Sequence, residues 1–308
     1  MEFFTAVISR IGVLFSFILI GFILKRGNFI PKEATVVFSR MENKVFMPSV
    51  VINTFWTNCT LKNVSTRWMY IVYSSVLLII CIIAAYIISR YLSNDEYIRK
   101  VYRYSLSVSN FGFVGTAMIQ GIYGAESVEL FDYMMFTLPL NLFTYSIGIS
   151  WLIPNKKSEF SIKTFINPIF IALVTGAVLG LTEVPKTDFI SSIISAAANC
   201  MSPIAMILTG IVIGSYELKS LLSYWQNYVI TGIRLVGLPL LFVLVLKAIK
   251  APSEIIIVTL CANAMPLGLN TVIIPSAYGE NPRIGAGLAL VSQIAAVVTI
   301  PVLFLLLV

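Results

Sequence analysis

Three asparagines sit among residues that interrupt helices. Asn110 lies in Ser109-Asn110-Phe111-Gly112-Phe113-Val114-Gly115, and Asn263 and Asn270 bracket Pro266 and Gly268. A carboxamide offers both a donor and an acceptor, so it can hold a polar solute without the cost of a buried charge. Around these asparagines, each glycine weakens a helix by about 1 kcal/mol relative to alanine, and proline deletes a backbone donor outright. If the helices break there, half-helix N-termini with free N–H groups would face the solute. Neither segment holds a carboxylate, which argues against a dedicated cation site and suits a small anion.

Charged candidates are few. Arg234, flanked by Gly232 and Gly237, has two readings of equal weight: capping the carbonyls of a broken neighbour, or contacting an anionic solute. Glu42 and Lys44 are two residues apart and so point to different faces, whereas Arg40 and Lys44 share one. The two cations either snorkel to an interface or line a scaffold facing the rest of the molecule. Glu42, Lys44 and Asp132 are the candidates for coupling to an ion; Glu42, Asp132 and Glu254 are all expected near interfaces rather than deep in the protein. Asn141 beside Pro139, and Asn199 near Ser202, are secondary candidates for a solute pocket. There is no histidine, so the side chain best suited to titrating near neutral pH is missing. The four cysteines are scattered singletons without a metal-binding spacing, and no phosphate-cradling loop exists. No metal or other cofactor is expected, and ATP-driven work by this chain is excluded.

The elements that must position these residues follow from composition. Of 308 residues, 58% are apolar and 11% charged, and the mean hydropathy is +0.92. A soluble domain carries roughly 25% charge, and a disordered chain more still, so this is a polytopic membrane protein. The net charge of +7 fits basic cytoplasmic loops and need not imply nucleic acid. A crossing helix needs about 20 residues. Ten spans satisfy this: about Thr5–Leu24, Ala34–Trp56, Trp68–Ser89, Arg103–Tyr123, Ser127–Ile153, Phe165–Leu181, Phe189–Ile213, Leu221–Leu246, Ser253–Tyr278 and Arg283–Val308. The first reads as a span and not as a removable signal. No run between spans is long enough for a separate enzymatic domain. With the N-terminus outside, the inner joints hold twelve basic residues, Lys32, Lys156, Lys157 and Lys163 among them, against five in the outer joints. The excess predicts both termini non-cytoplasmic.

Five spans, a basic joint at Pro154–Lys163 and five more spans suggest a duplication over 1–153 and 154–308. An odd number per half turns the copies over, which makes inverted repeats. Spans four and nine each put an asparagine before a breaker-rich centre and then close on Tyr-Gly, at Tyr123-Gly124 and Tyr278-Gly279. Spans two and seven echo each other in Asn43…Pro48 and Asn199…Pro203. Close helix packing would account for the small residues of spans four and nine. The sharper alternative is that both helices break in mid-membrane and cross.

The stretch Asn110-Phe-Gly-Phe-Val-Gly…Tyr123-Gly124 resembles the span-four signature of the auxin efflux carrier family, which includes plant PIN carriers and many microbial permeases. The Pro48 region, Arg234 before Pro239, and Asn270…Tyr278-Gly279…Pro301 extend the resemblance over nearly the whole chain. It implies an all-α membrane fold of ten helices in two inverted five-helix repeats, similar to sodium–proton antiporters and bile-acid symporters. Spans one, two, six and seven would be a scaffold, through which two copies could pair as a homodimer. The others would be a mobile core with helices four and nine broken and crossing. Members commonly carry a proline after the glycines of span four, where this chain has Gly115-Thr116-Ala117-Met118; the break should then depend on Gly112 and Gly115 and be gentler than in span nine. Microbial relatives are associated with dicarboxylates and other small metabolites. The expectation is a secondary transporter of the cell (plasma) membrane, moving a small organic anion by alternating access. The alternatives are an anion channel, or a permease for amino acids or other neutral solutes. The expected binding residues are Asn110, Gly112, Gly115, Asn263, Pro266, Asn270, Arg234, Asn141 and Asn199.

Overall fold

The computed structural model describes residues 2–31, 33–153, 167–278, 280 and 282–307. The basic joint expected at Pro154–Lys163, with Lys156, Lys157 and Lys163, lies outside these residues, as do Lys32 and Gly279. Among the described residues the fold is helical, and extended pairing is confined to one isolated bridge. Five helices are long and apolar enough to cross a membrane: Ile8–Arg26, Leu61–Leu92, Asp188–Gly214, Trp225–Ala248 and Arg283–Leu307. The others are shorter or interrupted.

Helix α1 (Glu2–Arg26) is followed by α2 (Ala34–Met41), a π-helical turn π1 (Glu42–Phe46) and α3 (Met47–Asn58), which together form one long rod. Next come α4 (Leu61–Leu92), α5 (Glu96–Ser107), π2 (Phe111–Gly115) and α6 (Thr116–Tyr123). Helix α7 (Val128–Phe143) continues through π3 (Thr144–Gly148) into α8 (Ile149–Leu152). The second half holds α9 (Pro168–Leu181), α10 (Asp188–Gly214), a short α11 (Leu218–Leu221), and the rod α12 (Trp225–Gly232), π4 (Ile233–Gly237) and α13 (Leu238–Ala248). It closes with α14 (Ser253–Asn263), α15 (Asn270–Ala277) and α16 (Arg283–Leu307).

Several expected boundaries are corrected, each by a local hydrogen bond or turn. Helix α4 starts at Leu61 and not at Trp68, because Thr60 Oγ1 accepts from Asn63 N–H at 3.2 Å and caps it. Helix α5 starts at Glu96 and not at Arg103, because Asp95 Oδ1 accepts from Ile98 N–H at 2.8 Å. Arg99 and Lys100, which precede the expected start at Arg103, are therefore helical. The eighth rod begins at Trp225, after a separate turn at Leu218–Leu221. Hydropathy marks the apolar centre of a helix but not the polar turn that starts it.

Two π turns have a common cause. Pro48 leaves the carbonyl of Lys44 without its α-helical donor, and Pro239 does the same to Leu235; π1 and π4 each end two residues before the proline and absorb the defect. Packing between the halves relies on glycine. A Cβ on Gly210 would overlap the Ile18 carbonyl and one on Gly21 the Ile207 carbonyl, so α1 and α10 lie backbone to backbone. Gly176 and Gly180 bring α9 equally close to Phe55 and Cys59 at the end of α3.

The break in the fourth helix differs from expectation. It falls at Val108–Asn110, before the glycines, and it is complete: Val108 is extended (φ −131°, ψ 130°), while Gly112 and Gly115 sit inside helical backbone. A proline is unnecessary because the unwound residues find hydrogen bonds elsewhere, as described next.

Candidate functional site

The two interrupted helices meet at their breaks. Ser109 forms an antiparallel bridge with Leu267, and Asn110 N–H donates to the Pro266 carbonyl at 2.7 Å. Ser109 Oγ donates to the Ala262 carbonyl, and Leu267 N–H donates to Ser292 Oγ at 2.9 Å. Unwound backbone deep in an apolar protein survives only when its polar groups are satisfied. Here each break supplies partners for the other, which is why the second can stand in for a proline in the first.

Tyr133 on α7 locks the junction. Its hydroxyl donates to the Phe111 carbonyl at 2.7 Å and lies 3.3 Å from that of Cys261, bridging both broken helices. A Cβ on Gly115 would collide with that hydroxyl and come 2.7 Å from the Cys261 carbonyl oxygen. Gly115 is thus there for close approach, not for flexibility.

On one side of the junction lies a small cavity. The N-terminal turns of π2 and α15 both open into it, through Asn110, Gly112, Gly268 and Asn270; Asn43, Tyr104, Asn141 and Tyr145 add polar groups. Asn110 is 4% exposed, and its Nδ2 has no hydrogen-bond partner. Asn270 Nδ2 donates to Tyr104 Oη at 2.8 Å and Asn141 Nδ2 to the Thr137 carbonyl at 3.0 Å. Gly112 leaves the wall bare, the nearest atom to a Cβ there being Met47 Cε at 3.8 Å. Through Met47, Gly112, Asn141 and Ile169 the cavity continues into an apolar arm walled by Val51, Phe55, Met134, Leu138 and Leu173. Among the described residues no charged side chain lines either part. Helix N-termini there favour a negative charge.

Asn110, Gly112, Asn141 and Asn270 therefore share one cavity wall. Gly115, Asn263, Pro266 and Arg234 stand behind it. Arg234 is fully buried and donates to Asn263 Oδ1 at 3.1 Å, with Cys81 Sγ at 3.8 Å. Asn263 Nδ2 in turn donates to the Thr259 carbonyl at 3.1 Å. The guanidinium thus sits at the C-terminal end of α14, where a cation is favoured. Asn199 is not with the others: α10 turns Ala198, Met201 and Ser202 inward, which leaves Asn199 exposed. Asn43, Tyr104, Tyr133 and Tyr145 were missed as wall or junction residues. Asn43 carried a signal in its spacing to Pro48; the tyrosines carried none beyond being polar inside apolar runs.

The ionic candidates separate as well. Asp132 is ion-paired with Arg67 Nε and accepts from Tyr70 Oη at 3.1 Å. Lys44 and Glu254 are exposed. Glu42, expected near an interface, is instead 0% exposed, in a turn packed against α9 and α10. At one end of the molecule α6 and the loop after it are tied to α1, α3, α10 and the turn before α10. Asn58 Nδ2 donates to the Glu126 carbonyl at 3.1 Å, Lys186 Nζ lies 3.8 Å from Glu126 Oε1, and Arg10 donates to the Ala117 carbonyl at 3.3 Å and to Ser202 Oγ at 3.2 Å. Partial burial lowers the Lys186 ammonium from its ordinary value, with Glu126 opposing the shift.

Comparison with known proteins adds a separate finding. The sequence profile of the family described as "Membrane transport protein" matches residues 6–162 and 157–304. The chain is also similar to the "Uncharacterized transporter YfdV" of Escherichia coli K12, with 26% identity over 198 residues. The proteins of the same name in Escherichia coli O157:H7 and Shigella flexneri match to the same extent. In each case the match spans 62% of this chain and 62% of the relative's length.

Proposed function

We propose, from the premise that this chain belongs to the auxin efflux carrier family of membrane transport proteins, that it is a secondary transporter of a small organic anion. The family is one of multi-pass membrane transporters and not of enzymes. The anion binds where the broken helices cross. One observation carries this reading: two helix N-termini and the unpaired Nδ2 of Asn110 converge on a single cavity, with no acidic side chain in its wall among the described residues. Each partly buried helix N-terminus favours an anion by up to about 2 kcal/mol, and free N–H groups supply directed hydrogen bonds. The carboxylate is held by Asn110, Asn270 and the N–H groups of the π2 turn. The body of the solute extends into the apolar arm between Met47 and Leu173.

The same reading covers the architecture. Ten spans in two inverted halves would have α1, α2–α3, α9 and α10 as the scaffold; the glycine-mediated contacts of α1 with α10 and of α3 with α9 support a rigid unit of that composition. The remainder carries the crossed helices and moves against it, exposing the cavity alternately to the two sides of the cell membrane, with both termini non-cytoplasmic. A screen of thermal stability for the purified protein against monocarboxylates, dicarboxylates, amino acids and neutral solutes tests the assignment. Carboxylates are expected to raise the melting temperature, and Asn110→Ala to abolish the rise while the variant still folds. Stabilisation by neutral solutes alone would overturn it.

A further inference from the structure

Glu42 stands apart from the other acidic side chains. It is 0% exposed, and neither carboxylate oxygen has a hydrogen-bond partner. An isolated ionised carboxylate in such surroundings is prohibitively costly, whereas the neutral acid loses only the hydrogen bonds of a hydroxyl and a carbonyl. Among the described residues no cation pairs with it. The elements packed against π1 are α2, α3, α9 and α10. Helices α3 and α9 have no ionisable side chain. Helix α10 has only Asp188 in its first turn and Cys200, and the nearby cations Arg40 and Lys44 are exposed. The residue sits between two spaces. Ser39 and Arg40, one turn before it, line a cavity shared by α2, α10 and α15, and Asn43 and Met47, after it, line the cavity at the crossing.

We infer that Glu42 is a proton-binding site on the rod formed by α2, π1 and α3: its carboxyl holds a proton in this conformation and releases it to water when the cavity lined by Ser39 and Ser276 opens toward π1. One proton is taken up as the carboxylate becomes buried and one is returned as it is hydrated, so the net exchange is with solvent and needs no co-reactant. The role of this proton in moving an anion rests on the transporter reading above; its presence on Glu42 does not.

The site is tested without any solute by infrared spectroscopy of the purified protein. A protonated-carboxyl stretching band is expected at pH 7 in the wild type and not in Glu42→Gln, whose amide is nearly isosteric with the neutral acid. The band should bleach reversibly as the pH is raised. No difference between wild type and E42Q would overturn the site, and so would a band that never responds to pH. In proteoliposomes holding a pH dye, malonate entry is expected to bring protons with it in the wild type and to proceed without them in E42Q. Malonate entry without protons in the wild type would overturn the coupling. Absence of malonate entry in both proteins would count against the anion assignment, while the infrared result still decides the site.

Discussion

At the scale of single residues, the candidate site divides into side chains that face the solute and side chains that hold the backbone for them. Asn110 does both, since its N–H joins the Pro266 carbonyl while its Nδ2 is left for a ligand. Asn110→Asp is expected to remove carboxylate binding as alanine does, because a fixed negative charge would face the anion in a low-dielectric cavity. The ligand-induced shift in melting temperature measures this. Gly115→Ala is expected to destabilise the protein by about 1–3 kcal/mol, because its new methyl meets the Tyr133 hydroxyl and the Cys261 carbonyl, and the carbonyl belongs to backbone that cannot swing away. Tyr133→Phe removes one bridge between the two breaks and should cost about 1 kcal/mol. Thermal unfolding in detergent checks both. Of these roles, only the presence of an asparagine among breakers was legible in the sequence. That Gly115 faces a tyrosine from α7 depends on a contact no local pattern encodes.

At the scale of elements, the rods interrupted by π turns explain how polar residues come to face inward without kinking the helices apart. Proline removes a donor, the π turn takes up the extra residue, and a buried ionisable side chain lies within each: Glu42 in π1 and Arg234 in π4. Pro239→Ala restores the missing donor. The rod is expected to revert to a regular α-helix, turning Arg234 by about 100°, one residue's worth of helical rotation, away from Asn263. Thermal stability should then hold while carboxylate binding falls, since Asn263 and the end of α14 lose their cation. Unchanged binding in P239A would show that π4 has no part in shaping the site. The broken helices follow the same logic. The sequence pointed to interruptions in the fourth and ninth helices but placed the first at Gly112 and Gly115, because propensity registers weak helix formers. The unwinding occurs at Val108–Asn110 instead, where extended backbone finds partners on the other break.

At the scale of the whole molecule, the pairs of helices joined through glycine contrast with the side-chain ties that link them to the crossing unit. Backbone-to-backbone packing such as that of α1 on α10 has no loose side chains to rearrange. By contrast, α6 and the loop at Gly124–Ser127 are held by Arg10, Asn58 and Lys186 through hydrogen bonds and one ion pair, which can part and re-form. An exposed ion pair of this kind contributes at most about 1 kcal/mol. Replacing Glu126 by Gln together with Lys186 by Met is therefore expected to leave folding intact while favouring separation at this end. The measurement is labelling of a cysteine substituted for Asn141 by a membrane-impermeant maleimide. Faster labelling of N141C in the double variant is the expected outcome, and an unchanged rate would mean that these contacts do not hold the cavity closed.

What the sequence determined by itself is the set of properties that add up locally. A chain with 58% apolar and 11% charged residues must live in a bilayer, runs of apolar residues must be helices there, and clustered Gly, Pro and Asn must interrupt them. Those statements need no partner, because transfer energy and helix propensity are summed residue by residue. The tertiary structure decided everything that requires a second segment. Ser109 meets Ala262 across 153 residues of chain, Arg234 finds Asn263, Asp132 finds Arg67, Glu42 is fully buried and Asn199 is turned outward. A buried polar atom is stable only with a partner or without its charge, and which of the two applies depends on how distant helices pack.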